Sequence, residues 1–142
     1  MAATITYKKY RKFYKYKLIK LYEISLPWLS DVKNGEVPGG WAKIDGSVLS
    51  IMENYCWDGP SGPTFDTKTF MRGSLVHDAL YQLMREGVLI SKYHRKKSDE
   101  TMAKINKEDG MNKFRVWYTY AAVRMFGWLY SNKQKSKILT AP

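Results

Sequence analysis

The sequence predicts an α+β fold in which N-terminal β-strands are followed by three packed α-helices. Two patterns and the break between them predict it. Up to Pro27, stretches of alternation such as Tyr14, Tyr16 and Leu18, then Tyr22, Ile24 and Leu26, have the period of half-buried strands. From Thr67 onward apolar residues recur every three or four positions, the period of a helix. Between them lies "WDGPSGPTFD", residues 57–66, whose two glycines and two prolines exclude regular structure.

Residues 1–26 contain neither Gly nor Pro and read as one or two strands, ended by Pro27. "DVKNGEVPGGW" is turn chemistry, and "WAKIDGSVLSIMENYCW" reads as short strands turning at Asp45–Gly46. The first helix carries Phe70, Gly73, Val76, His77, Leu80, Tyr81 and Met84 on its periodic positions, with Asp66 or Thr67 as cap and Gly87 as terminator. A second helix starts between Ser91 and Arg95 and runs to about Asp109, with Asp99, Met102 and Ile105 or Asn106 along one face. After Gly110, "NKFRVWYTYAAVRMFGWLY" forms a third, with a wide apolar stripe of Phe114, Trp117, Tyr118, Ala121, Met125 and Trp128. The whole reads as one domain, residues 1–142: strands and turns to 56, the loop to 66, helices to 130, and a loose polar tail from 131.

A chain of 142 residues with 44% apolar content can bury a core without staples. Its single cysteine, Cys56, cannot close an internal disulfide. The N-terminus has charge but no apolar core, so no secretory signal is expected, and no run is long enough to span a membrane. The net charge of +11 is uneven. Lys8, Lys9, Arg11, Lys12, Lys15, Lys17 and Lys20 all precede the first acidic residue, Glu23, and Lys133, Lys135 and Lys137 close the chain. That balance points to polyanions such as anionic phospholipid or another cell-envelope polymer, or else to a solvated basic face.

"GSLVHDALYQLM" is the stretch with chemistry in it. On a helix His77 and Tyr81 lie one turn apart on the same face, and Asp78 projects about 100° away. Two readings stay open. The first is a reaction centre, with His77 as base, Asp99 of the next helix as the carboxylate that orients it, and the Gly/Pro loop offering main-chain groups to a hard cation or an oxyanion. The second is a polar network that ties two helices together. Zinc suits the chain less well, because the other histidine, His94, lies in the basic stretch "SKYHRKKSD".

The run "YCWDGPSGPTFDTKTFMRGSLVHDALYQLM", then "HRKKSDETMAKI", then "WYTYAAVRMFGW" resembles a family of small, largely phage-encoded proteins of unassigned function. Their pattern is a W/T-D-G-x-S-x-P loop, an A/V-H-D-x-L-Y helix, an S/A-D helix and a third helix with Tyr and Arg. The resemblance covers about residues 50–130. It implies synthesis in a bacterial host cytoplasm and a place in the virion or at the host envelope, with other virion proteins as partners.

More distantly, the order of Gly-rich loop, H-D-x-x-Y helix and later aspartate is similar to the phospholipase A2 type of active site. Gly59 stands 18 residues before His77, and Asp99 stands 22 after it. That resemblance implies a calcium-dependent ester hydrolase. His77 would be the base, Asp99 its orienter and Tyr81 a hydrogen-bond donor to the orienter. Asp78 would supply the calcium carboxylate, Trp57, Gly59 and Ser61 main-chain oxygens, and the Gly59 N–H the oxyanion donor. The chain departs from the secreted enzymes in lacking their disulfides and in carrying Asp58, Pro60 and Ser61 within the loop. The alternatives are an envelope hydrolase using a transition metal, a non-enzymatic virion or accessory protein with a buried network, and a nucleic-acid binder.

Overall fold

A computed structural model describes residues 4–9, 16–59 and 67–132. Arg11, Lys12, Lys15, Ser61 and the tail from 133 lie outside the described residues. Seven short strands precede the helices, as the alternating pattern requires.

The strands form two antiparallel sheets. β1 (Tyr7–Lys9), β2 (Tyr16–Leu18) and β7 (Cys56–Trp57) make the first, in the order β1-β2-β7, with Tyr16 opposite Trp57. β3 (Tyr22–Ser25), β4 (Gly35–Glu36), β5 (Ala42–Asp45) and β6 (Val48–Ile51) make the second, in the order β3-β6-β5-β4. β5 and β6 form a hairpin through Gly46, whose φ of 59° suits the turn expected there. Two pieces of regular structure are shorter than sequence periodicity can detect. β4 lies within the turn-rich stretch, and β7 takes up Trp57, the first residue assigned to the loop.

α1 (Lys68–Arg85) is the centre of the molecule: thirteen of its eighteen residues are buried. It packs on β5, on α2 (Ser91–Glu108) and on α4 (Trp128–Ser131). Leu18, Ile44, Leu49, Ile51, Leu75, Leu80 and Leu83 are fully enclosed in the shared core. α1 begins after Thr67, whose hydroxyl makes no cap bond and instead meets Thr69 and Arg115.

α1 and α2 end in the same motif. Gly87 N–H donates to Met84 O and Val88 N–H to Leu83 O, and Gly110 and Met111 repeat the pattern on Lys107 and Asn106. Both glycines have positive φ, 78° and 91°, which a residue with a Cβ adopts only at a cost.

α3 (Lys113–Phe126) starts at Asn112, whose side chain accepts from Arg115 N–H at 2.8 Å. The third helix predicted as continuous to residue 130 is divided at Gly127, and α4 follows. α3 lays Val116 and Val123 on Phe70, Met102 and Met111. The stripe read from the sequence faces the other way, with Phe114, Trp117, Met125 and Trp128 more than half exposed. Ser131, assigned by sequence to the tail, is fully buried and hydrogen-bonds Ser91 at 2.6 Å.

Candidate functional site

Helical geometry sets the first relation in the site. His77 and Tyr81, one turn apart on α1, have ring centroids 4.0 Å apart. α2 crosses α1 so that Asp99, with no exposed surface, meets both. His77 Nε2 lies 2.8 Å from Asp99 Oδ1, and the Tyr81 hydroxyl donates to the same oxygen at 2.6 Å. The second oxygen, Oδ2, accepts from Arg124 Nη1 at 2.8 Å, with Arg95 Nη1 at 3.6 Å. Three helices therefore converge on one carboxylate.

Burial opposes the Asp99 charge, but His77, Tyr81 and Arg124 outweigh it and hold the carboxyl below its usual range. A carboxylate only accepts hydrogen bonds, so the network assigns the proton to His77 Nε2. Nδ1 of the neutral ring then carries the lone pair. It faces the Asp78 side, 4.0 Å from Asp78 Oδ1. Burial and Asp99 together raise the Tyr81 phenol above its usual value, which keeps it a donor.

Asp78 differs from Asp99. Its side chain is 36% exposed, yet removal from water pushes its pKa up to about 7. His77 and Arg85 pull the value down, while the negative charge of Asp58 pushes it further up. Asp58 belongs to the loop, so the start of the loop and the Asp78 carboxyl are electrostatic neighbours.

Packing explains that proximity. Trp57 Nε1–H donates to Ser74 Oγ at 3.2 Å, and Ser74 lies one helical turn before Asp78. Gly59 is buried with φ of 71°, and a Cβ there would stand 2.6 Å from the Tyr16 ring. The loop thus leaves β7 fastened to the face of α1 that bears His77 and Asp78.

Of the residues singled out from sequence, His77, Asp78, Tyr81 and Asp99 come together, and Trp57 and Gly59 are packed on Ser74 and Tyr16. Lys8 and Lys9 are exposed on β1, and Lys8 stands directly opposite Lys17 of β2. Lys20 is exposed beyond that strand. His94 is occupied elsewhere, accepting from Ile90 N–H at 2.9 Å through Nδ1.

Sequence reasoning missed Arg95 and Arg124. Arg95 had a signal, because it lies four residues before Asp99 on the same helix face. Arg124 was signalled only by the arginine on the third helix of the resemblance, and no period or spacing ties it to Asp99, which is on another helix. Arg72 was also missed. It pairs with Asp109 at 2.9 Å and Glu108 at 3.1 Å; burial lowers its pKa, but Asp109 and the Tyr22 hydroxyl outweigh that and raise it. It closes the far end of the α1–α2 contact.

Among the described residues no three His, Cys, Asp or Glu side chains converge as a metal-ligand group, as a transition metal would favour. Calcium asks for less: a carboxylate and main-chain oxygens. Asp58 and Asp78 are the carboxylates that stand near one another beside the start of the loop. No protein-family model, curated protein or solved structure matches the chain.

Proposed function

We propose that the chain is a calcium-dependent ester hydrolase of the phospholipase A2 type, acting on host-envelope phospholipid during phage entry or lysis. The observation that carries this reading is the division of labour between the two ring nitrogens of His77. Nε2 is held at 2.8 Å by a fully buried carboxylate, and Nδ1 faces the partly exposed Asp78. A base needs one nitrogen fixed and the other left to take a proton.

In this reading Nδ1 removes the proton from a water molecule as its oxygen attacks the ester carbonyl. The imidazolium that forms is stabilised through Nε2 by Asp99, which Tyr81 and Arg124 keep ionised and in place. As the tetrahedral oxyanion collapses the ester C–O bond breaks, and Nδ1 returns its proton to the leaving lysophospholipid oxygen. Asp78, with main-chain oxygens of Trp57, Gly59 and Ser61, would hold calcium, and the Gly59 N–H would meet the oxyanion. Calcium, when bound, supplies charge that polarises the ester carbonyl.

The test is product analysis on mixed phospholipid vesicles, with calcium or chelator, beside His77→Asn. The expected outcome is calcium-dependent release of fatty acid and lysophospholipid, falling by at least about a hundredfold in the variant. No release from the folded wild-type protein would reject the reading.

One observation favours a second reading, a structural network in a non-enzymatic virion or accessory protein. Asp99 receives bonds from α1 and α3 while belonging to α2, as a residue tying helices together would. That reading expects His77→Asn to lower the melting temperature with no activity to lose.

A further inference from the structure

α3 is apolar on two opposite faces. At roughly 100° per residue, Val116, Thr119 and Val123 point one way, while Phe114, Trp117, Tyr118, Ala121 and Met125 centre on the opposite direction. The inner face meets Phe70, Met102 and Met111. The outer face is largely open among the described residues: Phe114 is 75% and Trp117 63% exposed, and Met125 and Trp128 continue the row. A helix with two apolar faces fits between two apolar media, and the described core covers one of them.

Charge indicates the other. No acidic residue follows Asp109, while Lys113, Arg115, Arg124, Lys133, Lys135 and Lys137 do. Like charge opposes a second copy of this surface. The two arginines of α3 are turned inward, Arg115 to Thr67 and Arg124 to Asp99, so guanidinium groups do not stand between the exposed rings as nucleic acid would require. A recess of about 480 Å³ lies between α2 and α3, lined by Ala103, Val116, Trp117 and Tyr120, by Lys107 and Lys113, and by one acidic residue, Glu100, which pairs with Lys96 at 3.9 Å. Lys107 and Lys113 have no carboxylate partner among the described residues, so the lining carries two unpaired cations against one paired acid. Aromatic rings on a convex helix with lysines at the edge match the boundary of an anionic bilayer.

Position links this surface to the site. Arg85 Nη1 donates to Tyr130 O at 2.9 Å, and the Arg85 charge acts on Asp78. Gly127 lies against the Tyr81 hydroxyl.

We propose that α3 and α4 form the surface by which the protein docks on an anionic lipid bilayer, with Phe114, Trp117, Met125 and Trp128 entering the interfacial layer. The docking rests on the hydrolase reading only for the claim that the bound lipid is also the substrate.

The experiment floats the full chain, in chelator, with vesicles of phosphatidylglycerol and phosphatidylcholine in equal parts or of phosphatidylcholine alone. It is repeated with the double variant Trp117→Asn, Trp128→Asn, whose exposed positions leave the core intact, checked by thermal melting. Wild-type protein should float with the anionic vesicles and more weakly with the neutral ones, and the variant should bind about tenfold less tightly. Wild-type protein that does not float, or a folded variant that floats equally well, overturns the proposal. So does a wild-type dimer that the variant makes monomeric while neither binds lipid, which would assign the face to a second copy. Hydrolysis of a monomeric short-chain phospholipid separates the two readings, since it needs no surface. Activity on that ester without flotation removes the docking alone, and flotation without any hydrolysis removes the hydrolase alone.

Discussion

Asp78 and Asp99 carry the same carboxyl group into opposite surroundings. Asp99 is wholly enclosed but receives three hydrogen bonds, so its folded-state pKa falls below the unfolded one. Asp78 keeps some contact with water but is largely desolvated and has no hydrogen-bond donor among the described residues, and its pKa rises from 3.8 to about 7. The sign of the linkage differs accordingly. A raised carboxyl contributes stability that is present below 3.8 and lost as pH rises through about 7. Asp78→Asn should therefore melt higher than wild type at pH 8 without calcium, and the gap should close by pH 4. Solvent contact at Asp78 keeps that gap small. Calcium should raise the wild-type melting temperature more at pH 8 than at pH 5, and should do nothing for the variant. A gap between the two proteins that is equal at both ends of the pH range would show that the Asp78 charge is not strained.

At the scale of elements, the contact between α1 and the α3–α4 junction is made at Gly127. A Cβ there would overlap the Tyr81 hydroxyl and crowd Val123 O. Gly127→Ala should displace Tyr81 from Asp99 and cost about 1–3 kcal/mol by chemical denaturation, the usual range for overpacking. Adding Tyr81→Phe should recover part of that loss, because the overlapping hydroxyl is gone. A double variant whose losses are simply additive would mean the two sites do not touch. The helices were legible because the apolar period changes after Thr67, and because Gly87 and Gly110 end two of them by local chemistry. β4 and β7 were not, since two residues carry no period; only their pairing with β5 and β2 makes them strands. The α3 stripe was legible as a stripe but not in direction. A period identifies a face, and what lies against that face is settled elsewhere in the chain.

Over the whole molecule, two ionic clusters bind the helices: Asp99 with Arg95 and Arg124, and Arg72 with Glu108 and Asp109. The first joins α1, α2 and α3 at one atom group, so its loss is felt globally. Asp99→Ala should cost about 3–5 kcal/mol, because it removes the buried acceptor shared by His77, Tyr81 and the half-buried Arg124. The Asp99 contribution is present above the ordinary carboxylate range and is lost as pH falls through its lowered folded value. Wild type should accordingly lose stability below about pH 4 more steeply than Asp99→Ala, as thermal melts across pH would read. Equal acid sensitivity of the two proteins would place the critical carboxylates elsewhere.

Residue period and spacing along a helix are local properties of the chain, so the α+β class and the set His77, Asp78, Tyr81 and Asp99 could be read from it directly. That Arg124 and Arg95 complete the surroundings of Asp99, that Trp57 packs on Ser74 and Gly59 on Tyr16, and that the α3 stripe faces outward emerged from the fold. Those outcomes depend on how helices cross and which surfaces they cover, and no local pattern encodes a crossing.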